Sequence, residues 1–191
     1  MRKIIYGVGT SLDGYIARLD GSLDFLHLRP SNYSMAPFFK TIDVGLMGRK
    51  TYEVGVRMSG GKFESHGLRC YIFSQSLPEG ERDFATFVRE EPKRLVEELR
   101  KKKGKDIWLV GGGELTREFL KEDLVDELYL GIVPVLIGEG IPLFAAGFPQ
   151  REFTLKESKT YSGGLIALTY ERVRGKAAVE SKSTGKSKRK R

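Results

Sequence analysis

Twice in this chain a short apolar run stops at glycine and becomes at once a segment with helical spacing. Ile107-Trp108-Leu109-Val110 ends in Gly111-Gly112-Gly113, and Glu114 to Lys121 follows with Leu115 and Phe119 on one face. Val44 to Met47 ends likewise in Gly48, and Arg49-Lys50-Thr51 opens a helical segment through Val56. An apolar run without alternation fits a strand covered on both faces, and a strand that feeds straight into a helix fits a crossover. These joints call for a sheet with parallel strands and helices packed on it.

The remaining segments agree. Ile4, Tyr6 and Val8 alternate with Ile5, Gly7 and Gly9, which predicts a strand over 2–9 whose second face is partly bare. Strand glycines of this kind mark close approach by a ligand or another backbone. Met35, Phe38, Phe39 and Ile42 have helical spacing, with Pro37 in the first turn. Arg69–Phe73 and Phe84–Val88 read as strands. Pro92 starts a helix that buries Leu95, Val96 and Leu99 and stops at Gly104. Strands at 128–135, 153–159 and 165–172 close the order. The expected class is α/β, a mostly parallel sheet with antiparallel C-terminal strands, and nothing divides residues 1–174.

Charge and cysteine content narrow the function. The net charge is +8, but residues 175–191 hold seven Lys or Arg against Glu180 alone, leaving 26 basic and 24 acidic residues elsewhere. With no aromatic residue in it, that segment reads as a disordered basic tail, able at most to make weak, nonspecific, salt-sensitive contact with a polyanion. One cysteine, Cys70, excludes an internal disulfide and a multi-cysteine zinc module, and His27 and His66 are far apart, so no metal site is expected. There is no apolar stretch of membrane-spanning length and no signal-like start, so a soluble cytoplasmic protein is expected.

At each glycine joint, free backbone amides and a helix dipole point at one place, which suits an anion. Gly48 permits close approach, with Arg49, Lys50 and Thr51 beside it. Gly111, Gly112 and Gly113 remove every side chain between backbone and ligand. Two such sites suit a ligand with separated phosphates. Neither is a standard fingerprint. Arg49 and Val44 stand where a P-loop needs glycine, and Thr116 and Leu12 stand where dinucleotide-binding motifs starting at Gly111 and Gly7 need their third glycine.

The segments Ser11-Leu12-Asp13-Gly14-Tyr15-Ile16-Ala17, Met47-Gly48-Arg49-Lys50-Thr51-Tyr52-Glu53, Val110-Gly111-Gly112-Gly113-Glu114-Leu115, Val125-Asp126-Glu127-Leu128 and Val133-Pro134-Val135-Leu136-Ile137-Gly138-Glu139-Gly140 resemble the dihydrofolate reductase superfamily. Within it they are most similar to the C-terminal reductase domain of bifunctional riboflavin-biosynthesis proteins, over about residues 2–172. The resemblance implies the three-layer fold of that superfamily and an NADPH-dependent reductase. It implies that Gly48, Arg49 and Thr51 face the cofactor's phosphates, with Ser74 and Gln75 near the adenosine 2′-phosphate. Gly111, Gly112, Gly113, Glu114 and Leu115 would wrap the pyrophosphate, and Gly9, Thr10 and Ile16 would line the nicotinamide. Relatives often dimerise, so a homodimer is expected, with residues 133–144 as one candidate contact.

Two departures bear on the substrate. The early-helix carboxylate of true dihydrofolate reductases has no counterpart among Asn32, Tyr33, Ser34 and Met35, and Val110 stands where riboflavin-pathway reductases often carry an acid. The expected substrate is a small heterocycle, pterin-like or pyrimidine, including the ribosylamino-pyrimidine of the riboflavin pathway. Phe25, Tyr33 and Phe38 are candidates for its wall, and the catalytic proton donor is not assigned. The alternatives are an NADPH-binding protein of the same fold without turnover, and a nucleic-acid-binding protein driven by the tail.

Overall fold

A computed structural model describes residues 1–28, 30–82 and 84–174. The basic tail, and the polyanion contact expected of it, lie outside the described residues. In chain order the elements are β1 (Ile4–Thr10), β2 (Tyr15–Ala17), a 3₁₀ turn (Asp24–Leu28), α1 (Ala36–Phe39), β3 (Ile42–Gly48), α2 (Arg49–Met58), β4 (Arg69–Phe73), β5 (Gly80–Arg82), β6 (Ala85–Val88), α3 (Pro92–Lys101), β7 (Asp106–Gly111), α4 (Gly113–Lys121), β8 (Glu127–Ile132), β9 (Ile141–Pro142), β10 (Phe153–Thr160) and β11 (Ile166–Arg172). Nine strands form one sheet in the order β10-β11-β8-β1-β7-β3-β4-β6-β5, and β2 pairs with β9 in a second, two-stranded sheet. The central pairings are parallel. The antiparallel ones are β8 with β11, β11 with β10, and β5 with β6. This is the α/β architecture expected from the sequence.

Alternation along the strands builds two cores. On one face Ile4, Tyr6, Val44, Leu46, Ile107 and Leu109 pack under Leu95, Val96 and Leu99 of α3 and Phe119 and Leu120 of α4. On the other, Ile5, Met47, Cys70, Ile72 and Phe87 pack with Phe38 of α1 and Tyr52 of α2. Each fully buried aliphatic side chain contributes about 1.5–3 kcal/mol of transfer free energy. The result is three layers, with the sheet in the middle.

Several boundaries differ from the sequence reading. The helix expected over 35–42 is the single turn of α1: the Thr41 amide and hydroxyl both donate to Phe38 O, at 2.9 and 2.7 Å, and Ile42 already belongs to β3. The strand expected to reach Val135 ends at Ile132, before Pro134, which has no amide to donate. Phe84 lies outside β6, with a positive φ of 70° and 82% exposure. The short strands β2, β5 and β9 were not expected. Within 133–144, Val133 is buried and Leu143 and Phe144 pack on the core, whereas Leu136 is 68% exposed.

Opposite poles of the sheet have different chemistry. At the amino-terminal ends of the parallel strands, Asp126 accepts from the Ile4 amide at 2.7 Å, from Arg100 at 2.5 Å and from Arg174. Arg2 pairs with Asp43, and Asp123 is bound by Arg151, Arg172 and Arg174. At the carboxyl ends lie the glycine joints.

Candidate functional site

Ligands of α/β sheets bind beyond the carboxyl ends of the parallel strands, and a cleft of about 1200 Å³ opens there. Its best-defined corner is built by register. Met47 of β3 pairs with Gly111 of β7, so the two strands deliver Gly48 and Gly112 side by side as the N-caps of α2 and α4. Neither cap has a side-chain hydrogen bond to the helix amides, so the amides of both first turns open towards the cleft. A Cβ placed on Gly112 would stand 3.2 Å from the Thr51 hydroxyl, and one on Gly48 would touch Leu115 Cβ at 4.0 Å. The two helix starts lie against one another, and the fit is tight at Gly112, where a side chain would press on Thr51, while the contact at Gly48 is an ordinary one.

The neighbouring strand adds a third joint. Gly48 pairs with Phe73 of β4, so Arg49 and Ser74 leave the sheet next to one another. Arg49 Nη1 is 2.5 Å from Glu53 Oε1 in an exposed i,i+4 pair. Ser74 Oγ accepts from the Leu77 amide at 3.0 Å, which leaves its hydroxyl proton to donate elsewhere, and Gln75 donates to Arg89 O at 3.3 Å. On α4, Arg117 is 2.7 Å from Glu114 and 3.1 Å from Glu118.

The other end of the cleft lies over β7, β1 and β8 and is aromatic. Trp108 donates from its indole nitrogen to Gly7 O at 2.8 Å, and Phe39 meets it edge-on with ring centres 5.5 Å apart. His66 lies 5.6 Å from Phe39, the Tyr33 hydroxyl donates to Met35 Sδ at 2.9 Å, and Tyr129 completes the wall. Burial raises the Tyr129 hydroxyl above its ordinary value against the opposing hydrogen bond with Tyr33, so it stays protonated at neutral pH.

Of the residues singled out from the sequence, Gly9, Ile16, Gly48, Arg49, Thr51, Ser74, Gln75, Gly112, Gly113, Glu114, Leu115 and Tyr33 all line this one cleft. Four others do not. Thr10 is buried, its hydroxyl 3.1 Å from Tyr15 O. Gly111 sits beneath the cleft against Tyr6, with a φ of +113° that favours glycine. Phe25 is core at 2% exposure. Phe38 stacks flat on Tyr129, with ring centres 5.2 Å apart and 6° between planes, below the wall rather than in it. Of the expected wall of Phe25, Tyr33 and Phe38, only Tyr33 therefore lines the cleft, and this end of it is lined as well by Met35, Phe39, His66, Trp108 and Tyr129. Side chains of the chain itself also cover the bare glycines. A Cβ on Gly7 would meet Trp108 and Phe38 at 3.0 and 3.1 Å, and one on Gly9 would meet Leu26 at 2.9 Å. Asp13 takes no part in the cleft. Its carboxylate accepts from Ser11 at 2.5 Å and from the Gly138 amide at 2.8 Å, which ties the first loop to the segment after β8.

Comparison with known proteins decides the lineage. The RibD C-terminal domain family matches residues 2–167. The chain belongs to that family. Among curated relatives, the uncharacterized protein YwjB of Bacillus subtilis is 35% identical over 173 residues, covering 90% of this chain and 98% of its own. A crystal structure of a Shewanella sp. PV-4 protein named for riboflavin biosynthesis superposes with a TM-score of 0.79 at 29% identity, over 91% of this chain and 100% of that one. The fold is shared by a pyrimidine reductase-like protein of Corynebacterium diphtheriae, with a TM-score of 0.66 at 17% identity over 91% and 93% of the two chains. It is shared as well by RibD of Acinetobacter baumannii, with a TM-score of 0.63 at 20% identity, where the match covers 91% of this chain and 58% of RibD. The RibD C-terminal domain family is one of riboflavin-pathway reductases, generally NADPH-dependent. Among the described residues no helix is long and apolar enough to cross a membrane, and no cluster of His, Cys, Asp and Glu could hold a metal ion.

Proposed function

We propose that this protein is an NADPH-dependent reductase that transfers a hydride to a small heterocycle, pterin-like or pyrimidine. The observation that carries the reading is the paired helix start. Two uncapped helices on adjacent strands start side by side at Gly48 and Gly112, the second of which has no room for a larger side chain against Thr51, and each dipole favours a nearby anion by about 0.3–1 kcal/mol. A pyrophosphate carries charge for both. Arg49, Ser74 and Gln75 then face the corner where a further phosphate would sit, as the choice of NADPH over NADH requires.

The residues present fit that coenzyme, which supplies the hydride when bound. The chain's own part is positioning. Gly112 to Leu115 and Gly48 to Thr51 hold the phosphates, Gly9 and Ile16 border the nicotinamide, and the aromatic wall keeps water from the acceptor ring. Tyr33, Tyr129 and His66 are the wall residues that can exchange a proton with it.

Single-turnover oxidation of bound NADPH, followed by absorbance across a panel of ring acceptors, tests the reading. Oxidation with at least one acceptor is expected. Tight NADPH binding without oxidation by any of them would favour a dinucleotide-binding protein without turnover. Absence of binding would end the proposal.

A further inference from the structure

We infer that the pole opposite the cleft is a docking surface for the phosphate backbone of double-stranded nucleic acid, made by the lysine run at the end of α3 together with the basic stretch after Arg174. A hollow of about 430 Å³ lies there, and among the described residues it is lined by Arg2, Arg100, Lys101, Lys102 and Lys103 against one carboxylate, Asp106. Arg2 is neutralised by Asp43 and Arg100 by Asp126. Lys101, Lys102, Lys103 and Lys105 are exposed and have no ion-pair partner among the described residues. A lysine in the last turn of a helix complements the helix dipole, and Lys101 has that place on α3. The dipole acts only within that turn, so it gives no reason for the further lysines at 102, 103 and 105. Like charges this close repel one another, and an anion of many charges relieves the repulsion.

A second observation places more positive charge at the same pole. Arg100 and Arg174 bind the two oxygens of one carboxylate, Asp126, so the chain passes into residues 175–191 beside the end of α3. Those residues hold seven Lys or Arg against Glu180 alone. The two basic runs therefore begin side by side. Their composition selects the partner. Neither the described lining of the hollow nor the 175–191 sequence has an aromatic ring on which an unpaired base could stack. The larger apolar residues of the two are Met1 and Val179, too few to anchor the surface in a bilayer. A duplex needs neither device. It offers one negative charge per about 1.7 Å of axis, and each lysine that meets a phosphate releases condensed counterions, whatever the base sequence.

The experiment titrates the full-length protein against a fluorescein-labelled DNA duplex of about 20 base pairs, followed by anisotropy from about 25 to 200 mM KCl. The logarithm of the affinity is expected to fall linearly with the logarithm of the salt concentration. A variant that combines Lys101→Gln, Lys102→Gln, Lys103→Gln and Lys105→Gln is expected to make that slope shallower by about 2–4, and to bind at least about tenfold more weakly at the lowest salt. Arginine at the same four positions is expected to keep the parent slope, which separates loss of charge from damage to the fold. The inference would be overturned by absence of binding at the lowest salt. It would equally be overturned by a slope that the glutamine variant leaves unchanged, which would give the contact to residues 175–191 alone. Tighter binding to the matching single strand, or to vesicles of phosphatidylserine and phosphatidylcholine, than to the duplex would also overturn it.

Discussion

Replacing Arg49 by Ala tests the phosphate corner most directly, and the structure sets the size of the effect. Arg49 is 36% exposed and its partner Glu53 47%, so the ion pair that must open before the guanidinium can meet a ligand is worth only about 0.3–0.5 kcal/mol. A hydrogen bond to a charged group contributes about 1.5–3 kcal/mol. The difference, about 1–2.5 kcal/mol, corresponds to a loss of about 5- to 70-fold in NADPH affinity. NADH has no 2′-phosphate, so its affinity is expected to stay within about twofold of its starting value. Glu53→Gln removes the competing carboxylate and is expected to tighten NADPH by about twofold, the reciprocal of the pair's small cost. Isothermal titration of both dinucleotides against the three proteins provides the numbers, with thermal melts to show that neither surface substitution disturbs the fold. Equal losses for NADPH and NADH would move Arg49 to the pyrophosphate. No loss for either would refute its role in anion binding.

Other outcomes follow from the same geometry. Asp126→Ala strands Arg100 and the Ile4 amide at the amino-terminal pole; because Arg100 and Arg174 keep some water, the cost should fall at or just below the ~3–5 kcal/mol of a fully buried broken pair, about 2–3 kcal/mol, read as a lower urea midpoint. Burial tends to raise the Asp123 carboxyl, but Arg172 and Arg174 outweigh it and hold the group below its ordinary value. Its stabilisation is therefore complete above the unfolded value of about 3.9 and lost as pH falls through the lower folded value; the urea-midpoint gap between wild type and Asp123→Asn should close below about pH 4, and a gap persisting there would contradict the assignment. Burial pushes the Cys70 thiol up to about 11, so a thiol reagent should label the native protein only at its unfolding rate, and fast labelling at neutral pH would show the site to be open. Gly111→Ala forces a side chain to φ +113° and should destabilise by more than about 1 kcal/mol, with Gly138→Ala, also left-handed but in open space, as the comparison for backbone cost alone.

Local signals carried far along this chain. Arg69–Phe73 has the same bounds in sequence and structure, α3 starts at Pro92, and both glycine joints open helices at the cleft. What escaped depends on distant partners. β2 and β9 are three and two residues long and exist because residues 15–17 and 141–142 meet. The aromatic wall draws Phe39, His66, Trp108 and Tyr129 from four separate segments with no spacing to link them. Phe38 and Phe39 are neighbours on a single helical turn, and only the position of Tyr129 beneath it determines that Phe38 packs inward while Phe39 meets the cleft. The glycines of β1 were legible as sites of close approach, but the approaching groups, Trp108, Phe38 and Leu26, come from elsewhere in the chain. The Val125–Leu128 segment helped identify the lineage, yet Asp126 stands at the pole opposite the cleft, where it joins strands rather than ligands.

The Asp126 carboxylate receives both the Ile4 amide and the Arg174 guanidinium, so the first strand and the last described residue are fastened to one side chain. The chain therefore enters β1 and passes Arg174 at the pole opposite the cleft. The same closeness makes residues 1–174 a candidate for circular permutation: a short linker could join residue 174 to residue 1, and new ends could be opened at the exposed Gly60–Gly61 tip after α2, with every strand neighbour kept.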